Sequence, residues 1–555
     1  MKNEFIFLPL GGSGEIGMNM NLFALGPPDA RQWIMIDCGV TFAGPELPGI
    51  DLITPDHAYL MDDIDEGGDL LAMVLTHGHE DHIGAVAHLW PDFECDIYAT
   101  PFTAELVRRK FDEVGITDAP IKIIDLGARF ELGPFDLEYI TLTHSIPEPN
   151  AIAIRTEFGT VLHTGDWKID PRPVLGEETD DSTLTRLGED GVLAMICDST
   201  NVFSEGTSGS ETDVAETLSQ IISKQTGRVA VTTFASNVSR LVSVCRAAKS
   251  ADRSICLLGR SMLRMIDVAR HVDLLPPGIS FVEPNAAGYL PKDKILYLCT
   301  GSQGEQRAAL ARIAREDHPE LSLSAGDTVI FSSKVIPGNE KPIYEMMNDL
   351  TELGVTLISS EDAYVHVSGH PCRDELKAMY EWVKPHTSIP VHGEARHIQE
   401  HAKLARSLGV PHAVTPKNGD MIRLAPGTPE VIDEVPSGRL YLDGRILLPQ
   451  GEGVLRARQR LGEEGLIVVS VAFDQSGRPV GQPIVTVKGL PHEDNDGEEL
   501  IPLIEDAAQS VVHHLPRPKL GDDRELENAM RRTIRKDLYP RWGKRGDIVV
   551  AIIRG

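Results

Sequence analysis

The sequence predicts a multidomain α/β (α+β) protein, and three observations carry that expectation. At 555 residues the chain exceeds what one hydrophobic core organises, so two to four domains are expected. Through residue 205, short β-branched and apolar runs separated by Gly/Pro turns predict a sheet-dominated layer. From residue 206, helical patterns alternate with short apolar strands, as in a parallel sheet with crossover helices.

In the first part, strands are expected at Trp33–Asp37, Leu70–Leu75, Ile121–Leu126, Leu137–Leu142, Ala151–Arg155 and Thr160–His163. Helices are few there, with Ile83–Trp90 and Thr103–Val114 the clearest. In the segment 206–359, helices Glu211–Lys224, Asn237–Ser250 and Ser261–Val272 alternate with strands Arg228–Thr233, Ser254–Leu258, Ile295–Cys299 and Thr328–Phe331. Residues 360–430 return to polar, histidine-rich loops with helices Asp374–Val383 and Ala395–Ser407. A Pro/Gly-punctuated connector over 431–465 then leads to a last unit, 466–555, ordered strand, strand, helix, helix, strand.

Composition is that of an ordinary globular protein, 41% hydrophobic and 25% charged. No apolar run approaches the ~18 residues of a membrane span. The apolar patch Phe5–Leu10 ends in glycines and reads as a first strand, not a leader. Seven cysteines (Cys38, Cys95, Cys197, Cys245, Cys256, Cys299, Cys372) lie scattered without a CxxC pair, which predicts reduced buried thiols and a cytoplasmic protein. A net charge of −30 argues against a broad basic face for nucleic acid. Bound divalent cations can nonetheless supply positive potential where a phosphate must sit.

Gly12-Ser13-Gly14-Glu15-Ile16-Gly17 fits the GxGxxG dinucleotide fingerprint, with Asp37 placed 20 residues past Gly17. The context fails. Gly26-Pro27-Pro28-Asp29 follows at once and leaves no room for the required helix, so two strands joined by a turn are expected.

The strongest signal is Thr76-His77-Gly78-His79-Glu80-Asp81-His82-Ile83-Gly84. Core packing does not explain three imidazoles and a carboxylate on one turn, whereas zinc or manganese takes such N/O ligands. Two adjacent cations need more ligands than one strand end supplies, so others must arrive from other loops. His144, Asp166 and His392 each lie at a strand–loop junction, whereas His163 reads as a strand residue.

These contexts carry a resemblance. Leu10 to Asn19, the HGHEDH run, Thr143-His144-Ser145-Ile146-Pro147 and the later motifs resemble the metallo-β-lactamase superfamily, in particular its β-CASP nucleases of the RNase J type. The resemblance spans nearly the full length. It implies a metallo-β-lactamase αββα sandwich (1–205 and 360–430), an inserted parallel-sheet β-CASP domain (206–359) and a small α/β C-terminal domain. It also implies two divalent metal ions, zinc or manganese: one held by His77, His79 and His144, the other by Asp81, His82 and His392, with Asp166 bridging. Asp81 serves either as ligand or as base, and the sequence does not separate the two roles.

By the same resemblance, Cys197-Asp198-Ser199-Thr200 matches an acidic motif, and Asp198 would support the metal site or its water. His366-Val367-Ser368-Gly369-His370 matches a histidine motif in which His366, Ser368 and His370 clamp a phosphate, with His370 as proton donor. A histidine at 392 goes with RNA-acting members. Small residues at strand ends of the insert, Ser236, Asn237 and Ser302, suit backbone approach to phosphate. Asp51 and Asp443 sit where some members hold a structural calcium. The basic residues Arg531, Arg532, Arg535, Lys536, Arg541, Lys544 and Arg545 read as a solvated helix face in preference to an RNA-contacting patch.

The implied function is a ribonuclease acting on single-stranded, 5′-monophosphorylated RNA, both 5′-to-3′ and internally, in mRNA decay and rRNA maturation. Expected partners are further copies, as homodimer or homotetramer, and RNA-decay or ribosome partners, with no membrane. Two other readings are a thioester or lactone hydrolase on the same scaffold and a catalytically silent RNA-binding scaffold; the full ligand set argues against the second.

Overall fold

The computed structural model describes residues 2–555. Two compact units divide the chain: one holds everything up to Thr41 together with Ile53–Leu440, the other Phe42–Leu52 with Tyr441–Gly555.

The first unit is built on two facing sheets. One runs in the order Glu430–Glu434, Asp420–Ala425, Glu4–Gly11, Met20–Gly26, Gln32–Ile36, Asp69–Val74, Asp96–Ala99 and Ile121–Ile123. The other runs Arg129–Leu132, Phe135–Thr141, Asn150–Thr156, Gly159–His163, Val192–Asp198, Thr387–Val391 and His412–Ala413. Phe5, Phe7, Phe23, Ile34 and Val74 of the first interdigitate with Leu137, Tyr139, Ile152, Ile196 and Ile389 of the second, all at most 1% exposed. That dry layer explains why these strands are apolar on nearly every residue: helices cover the outer faces too. Leu184, Leu187, Leu376 and Met379 of helices Asp181–Asp190 and Arg373–Val383 pack on the back of the second sheet. The αββα layering expected of a metallo-β-lactamase fold is thus present.

Within this unit, a five-stranded parallel sheet interrupts the second sheet between Val192–Asp198 and Thr387–Val391. Its order is Ser254–Leu258, Ile295–Cys299, Val229–Thr232, Thr328–Phe331, Thr356–Ile358. Helices Glu211–Ser223, Val238–Ser250, Arg260–His271 and Glu340–Glu352 connect or cover its strands. The chain then rejoins the second sheet next to where it left, with Asp198 opposite Val391. That register brings Asp198 and His392 to the same end of neighbouring strands.

Residues 360–430 hold more strand than their polar composition suggests. Thr387–Val391 contains Pro390, which normally excludes a central strand. The neighbouring strand pairs only with Thr387 and Ser388, so Pro390 lies where that partner has already ended and its missing N–H interrupts no ladder. Asp420–Ala425 pairs antiparallel with Glu4–Gly11 and closes the first sheet.

In the second unit, Leu466–Phe473 pairs antiparallel with Ile484–Lys488 and parallel with Asp547–Arg554. Its side chains alternate between buried and half-exposed, the period of a one-sided sheet. Helix Asp523–Trp542 covers the buried face through Leu526, Met530, Ile534 and Leu538. Asp522 caps it, its carboxylate accepting from the Arg524 and Glu525 N–H groups at 3.0 and 3.2 Å. From Tyr441 onward the expected connector belongs to this unit, and it includes the helix Gly453–Glu464.

All seven cysteines are buried free thiols. Among the described residues no helix is long and apolar enough to cross a membrane.

Candidate metal centre

The HGHEDH turn leaves strand Asp69–Val74 and is stitched to the segment after Gln32–Ile36. The Cys38 N–H donates to the His82 carbonyl (2.7 Å), Val40 N–H to Glu80 (3.1 Å) and Asn19 N–H to Asp81 (2.9 Å). Gly39 sits inside this stitching: a Cβ there would lie 1.7 Å from the Asp81 oxygen. Gly39→Ala is therefore expected to displace the ligand turn and lower metal affinity by ~10- to 100-fold, the effect of disturbing a supporting contact, measured by titrating metal-stripped protein. The GxGxxG run has the same kind of use. Gly12, at φ +83°, accepts from the His392 N–H at 2.6 Å, and Ser13–Gly14 pair with Gly393–Glu394. Its glycines let the backbone approach the His392 loop rather than a dinucleotide.

His77, His79 and His144 form one cluster. Nδ1 of His79 lies 3.2 Å from His77 Nε2 and 3.1 Å from His144 Nε2. A tetrahedral cation with bonds of ~2.0–2.1 Å to nitrogen holds its ligands roughly 3.3 Å apart, so the spacing fits one ion. The far nitrogens are committed elsewhere. His144 Nδ1 donates to the Gly369 carbonyl at 2.5 Å. Thr76 Oγ1 donates to Asp37 at 2.8 Å and so accepts from His77 Nδ1 at 3.0 Å. His77 and His144 therefore turn a lone pair inward, toward Nδ1 of His79. Burial, then the neighbouring imidazoles, holds His77 and His144 well below the usual histidine range, in the neutral form that ligates.

Asp81, His82, Asp166 and His392 form the second cluster, their ligand atoms within 4.8 Å of one another. His82 Nδ1 donates to Asp37 at 2.7 Å, and His392 Nδ1 donates to Asn19 Oδ1 at 3.0 Å. His392 Nε2 is buried, has no hydrogen-bond partner, and lies 3.4 Å from Asp166 Oδ2 and 3.8 Å from Asp81 Oδ2. An orphaned nitrogen facing two carboxylates fits a cation between them. Asp166 Oδ2 also lies 3.1 Å from His82 Nε2 and 3.9 Å from His144 Nε2, so it stands between the clusters. Burial opposes charge on both His82 and Asp166. The surrounding carboxylates nevertheless hold His82 well above its usual value, and His392 and His82 hold Asp166 well below.

On the open side, His370 Nδ1 lies 2.8 Å from Asp198 Oδ2, and the other carboxylate oxygen accepts from the Thr200 N–H and hydroxyl at 2.8 and 2.7 Å. Burial disfavours a charged ring, but Asp198 outweighs it and His370 is pushed up to about 9. Ser368 Oγ accepts from Asn201 Nδ2 at 2.7 Å.

The comparisons with known proteins follow this geometry. Family models match as "Beta-lactamase superfamily domain" over 32–187, "Ribonuclease J, beta-CASP domain" over 226–350, "Zn-dependent metallo-hydrolase RNA specificity domain" over 362–416 and "Ribonuclease J C-terminal domain" over 453–555. A ribonuclease J from Sinorhizobium meliloti is 48% identical over 553 residues, covering 99% of this chain and 97% of that protein. The chain belongs to the ribonuclease J family. Ribonuclease J of Mycolicibacterium smegmatis is 36% identical (98% of this chain, 96% of the relative), and that of Helicobacter pylori 34% (97% and 78%). A crystal structure of a protein of unknown function from Enterococcus faecalis aligns with TM-score 0.52 at 14% identity, over 76% of this chain and all of that one, and speaks for the fold alone. Membership in the ribonuclease J family makes the chain a metal-dependent hydrolase of the metallo-β-lactamase fold with a β-CASP insert.

The remaining candidate residues of this ribonuclease J relative fare differently. Burial lowers His366 to about 3, and its Nδ1 is without a partner. Ser236 is half-buried in the turn before helix Val238–Ser250, and Ser302 is buried in the loop after Ile295–Cys299. Asn237 does not offer its side chain to a phosphate: Oδ1 caps that helix on the Arg240 N–H (2.9 Å), and Nδ2 donates to Glu211 (3.0 Å). Asp443 is paired with Arg458 at 2.6 Å. Among the described residues, no group of three metal-ligating side chains includes Asp51 or Asp443, so the calcium expectation gains no support.

Sequence reading missed the supporting residues. Asp37 and Asn19 orient the candidate ligands His82 and His392, Asn201 holds the 368–370 loop, and Arg240, paired with Glu211, ties Val365 to the insert. Asp37 (φ +63°) and His392 (φ +50°) are in the left-handed region, a strain that buried contacts must enforce. Only the spacing of Asn19 within the Gly-rich run hinted at any of this.

Proposed function

We propose that this chain hydrolyses RNA phosphodiester bonds, 5′-to-3′ from 5′-monophosphate ends and also internally, in cytoplasmic mRNA decay and rRNA maturation, as a homodimer or homotetramer. The observation that carries the reading is the position of Asp166 Oδ2 between two clusters of inward-facing histidine nitrogens. His77, His79 and His144 would hold one zinc or manganese ion, Asp81, His82 and His392 a second, with Asp166 shared. Two such ions supply Lewis-acid polarisation of a phosphoryl oxygen and a water acidic enough to attack near neutral pH.

The chain's own groups do the rest. Asp198 keeps His370 protonated through Nδ1, which leaves Nε2 to give a proton to the departing 3′ oxygen. Asn201 fixes the loop by donating to Ser368 Oγ and to the His370 carbonyl at 2.7 and 3.0 Å. His366 and Ser368 would receive the phosphate, and the backbone at Ser236 and Ser302 would line its path. On this reading, with the chain divided into 1–205 with 360–430, 206–359, 431–465 and 466–555, the first part would hold the scissile site and the second would guide the strand.

Asp198→Asn is expected to lower kcat by ~10²-fold with little change in KM. A general acid fails as pH rises through its pKa. Without the carboxylate that pKa falls from about 9, so the alkaline limb of the rate profile should move to lower pH. The deciding assay offers an end-labelled 5′-monophosphate RNA and a small thioester to manganese- or zinc-loaded protein. Mononucleotide release is expected; intact RNA beside hydrolysed thioester would overturn the reading.

A further inference from the structure

The basic residues near the C-terminus, expected to be a solvated helix face, are gathered by the structure. Within the second unit, Arg460, Arg531, Arg532, Arg535, Lys536 and Arg545 line a cavity of about 810 Å³ in which Asp547 is the one carboxylate among the described residues. Four of the six lie on helix Asp523–Trp542 at positions that recur every three or four residues, so like charges stack along one face. Few are neutralised. Arg531 donates to the Ile548 carbonyl at 3.1 Å and meets Glu527 at 3.3 Å, and Arg460 lies 4.0 Å from Asp547. Arg535 Nε is buried without a hydrogen-bond partner. Tyr539 stands 54% exposed at the same cavity, one helical turn beyond Arg535 and Lys536.

In a chain of net charge −30, such a concentration of unpaired cations is a local field that calls for an anion. Guanidinium groups present the fork that matches phosphate oxygens, and an exposed aromatic ring offers a stacking face to a base. We infer that this cavity is a second RNA-docking site, taking the phosphodiester backbone of a single strand on its guanidinium groups and a base on Tyr539. It shares no residue with the metal centre. The inference rests on the proposed action on RNA and adds where the uncut part of the strand is held.

The test uses full-length protein in chelator, so that binding is read without hydrolysis, and a fluorescein-labelled single-stranded RNA followed by anisotropy across a salt series. Each phosphate contact adds ~0.7 to the slope of log affinity against log salt for a single strand. The variant Arg532→Gln/Arg535→Gln/Lys536→Gln should lower that slope by about 2 and the affinity by about 10-fold or more near 0.1 M salt. Tyr539→Ala should weaken binding by roughly 10-fold while leaving the slope unchanged. Thermal unfolding checks that the variants fold, and Arg532→Gln/Lys536→Gln, both exposed, serves if the triple variant does not. Unchanged slope and affinity overturn the inference. So does loss of self-association by light scattering with RNA affinity intact, which would assign the face to a second copy. Wild-type protein that binds through this site in chelator yet leaves RNA uncut with manganese would sink the proposed activity while this site stands.

Discussion

Asp166→Ala is expected to reduce RNA hydrolysis by at least ~10³-fold and to leave the protein with less than its full metal complement, because in the proposed scheme its carboxylate would be shared by both ions. The reason is its position. Oδ2 lies within 3.1–3.9 Å of nitrogens on His82, His392, His144 and His370, and among the described residues no other carboxylate pairs with all four. Removing the carboxylate leaves buried imidazoles facing one another with only Asp81, at 3.7–3.8 Å from His82 and His392, to offset them. Asp166→Asn keeps the shape and loses the charge, so the pair separates packing from electrostatics: both variants should fold, and both should be nearly inactive. Metal analysis of the purified variants, beside cleavage of a labelled RNA, reads the outcome. Near-normal activity in either variant would break the two-metal scheme.

Arg240→Ala should destabilise the first unit by about 3–5 kcal/mol, the range for removing one partner of a buried ion pair. Arg240 is fully buried, and its Nε and Nη2 donate to Glu211 at 2.8 and 2.9 Å. Nη1 donates to the Ser332 carbonyl and hydroxyl and to the Val365 carbonyl at 2.9, 2.7 and 3.0 Å. One guanidinium therefore ties the insert to the residue before His366. The same pair sets an acid limit. Burial alone would raise Glu211, but Arg240 holds it down to about 2, against 4.5 unpaired. The linked stability, roughly 3 kcal/mol by proton linkage, is fully present above pH 4.5 and disappears as pH falls toward 2. Glu211→Gln should flatten that part of the profile. Urea unfolding between neutral pH and pH 3 checks both variants; an Arg240→Ala midpoint within error of wild type would count against the role assigned here.

Much of the candidate metal centre could be read from residues alone, because imidazoles and carboxylates at strand ends are what a divalent cation takes. His77, His79, Asp81 and His82 announce themselves by spacing. His144, Asp166 and His392 needed their loop contexts, and the fold brings all seven into two clusters. The supporting groups were not legible. Asp37 reads as any strand-terminal aspartate, and its contacts to Thr76 and His82 arise from a parallel pairing that no local pattern encodes. The side-chain role of Asn237 was hidden for the same reason: its partners, the helix it caps and Glu211, are defined only once the insert folds. The strand expected before His392 is Thr387–Val391, and its tolerance of Pro390 depends on how short the neighbouring strand is. Local chemistry was visible, whereas long-range partnership was not.

The pairing of Glu4–Gly11 with Asp420–Ala425 has a temporal consequence. Strand Glu4–Gly11 is synthesised long before its partner Asp420–Ala425 and waits for it before the sheet is complete, and His392 reaches its neighbours only after the whole insert has been made. The closure entropy of so long a loop grows only slowly with its length, so the delay is one of synthesis more than of thermodynamics. The seven clustered histidines and aspartates of the candidate metal centre are therefore together only when the first unit is nearly finished.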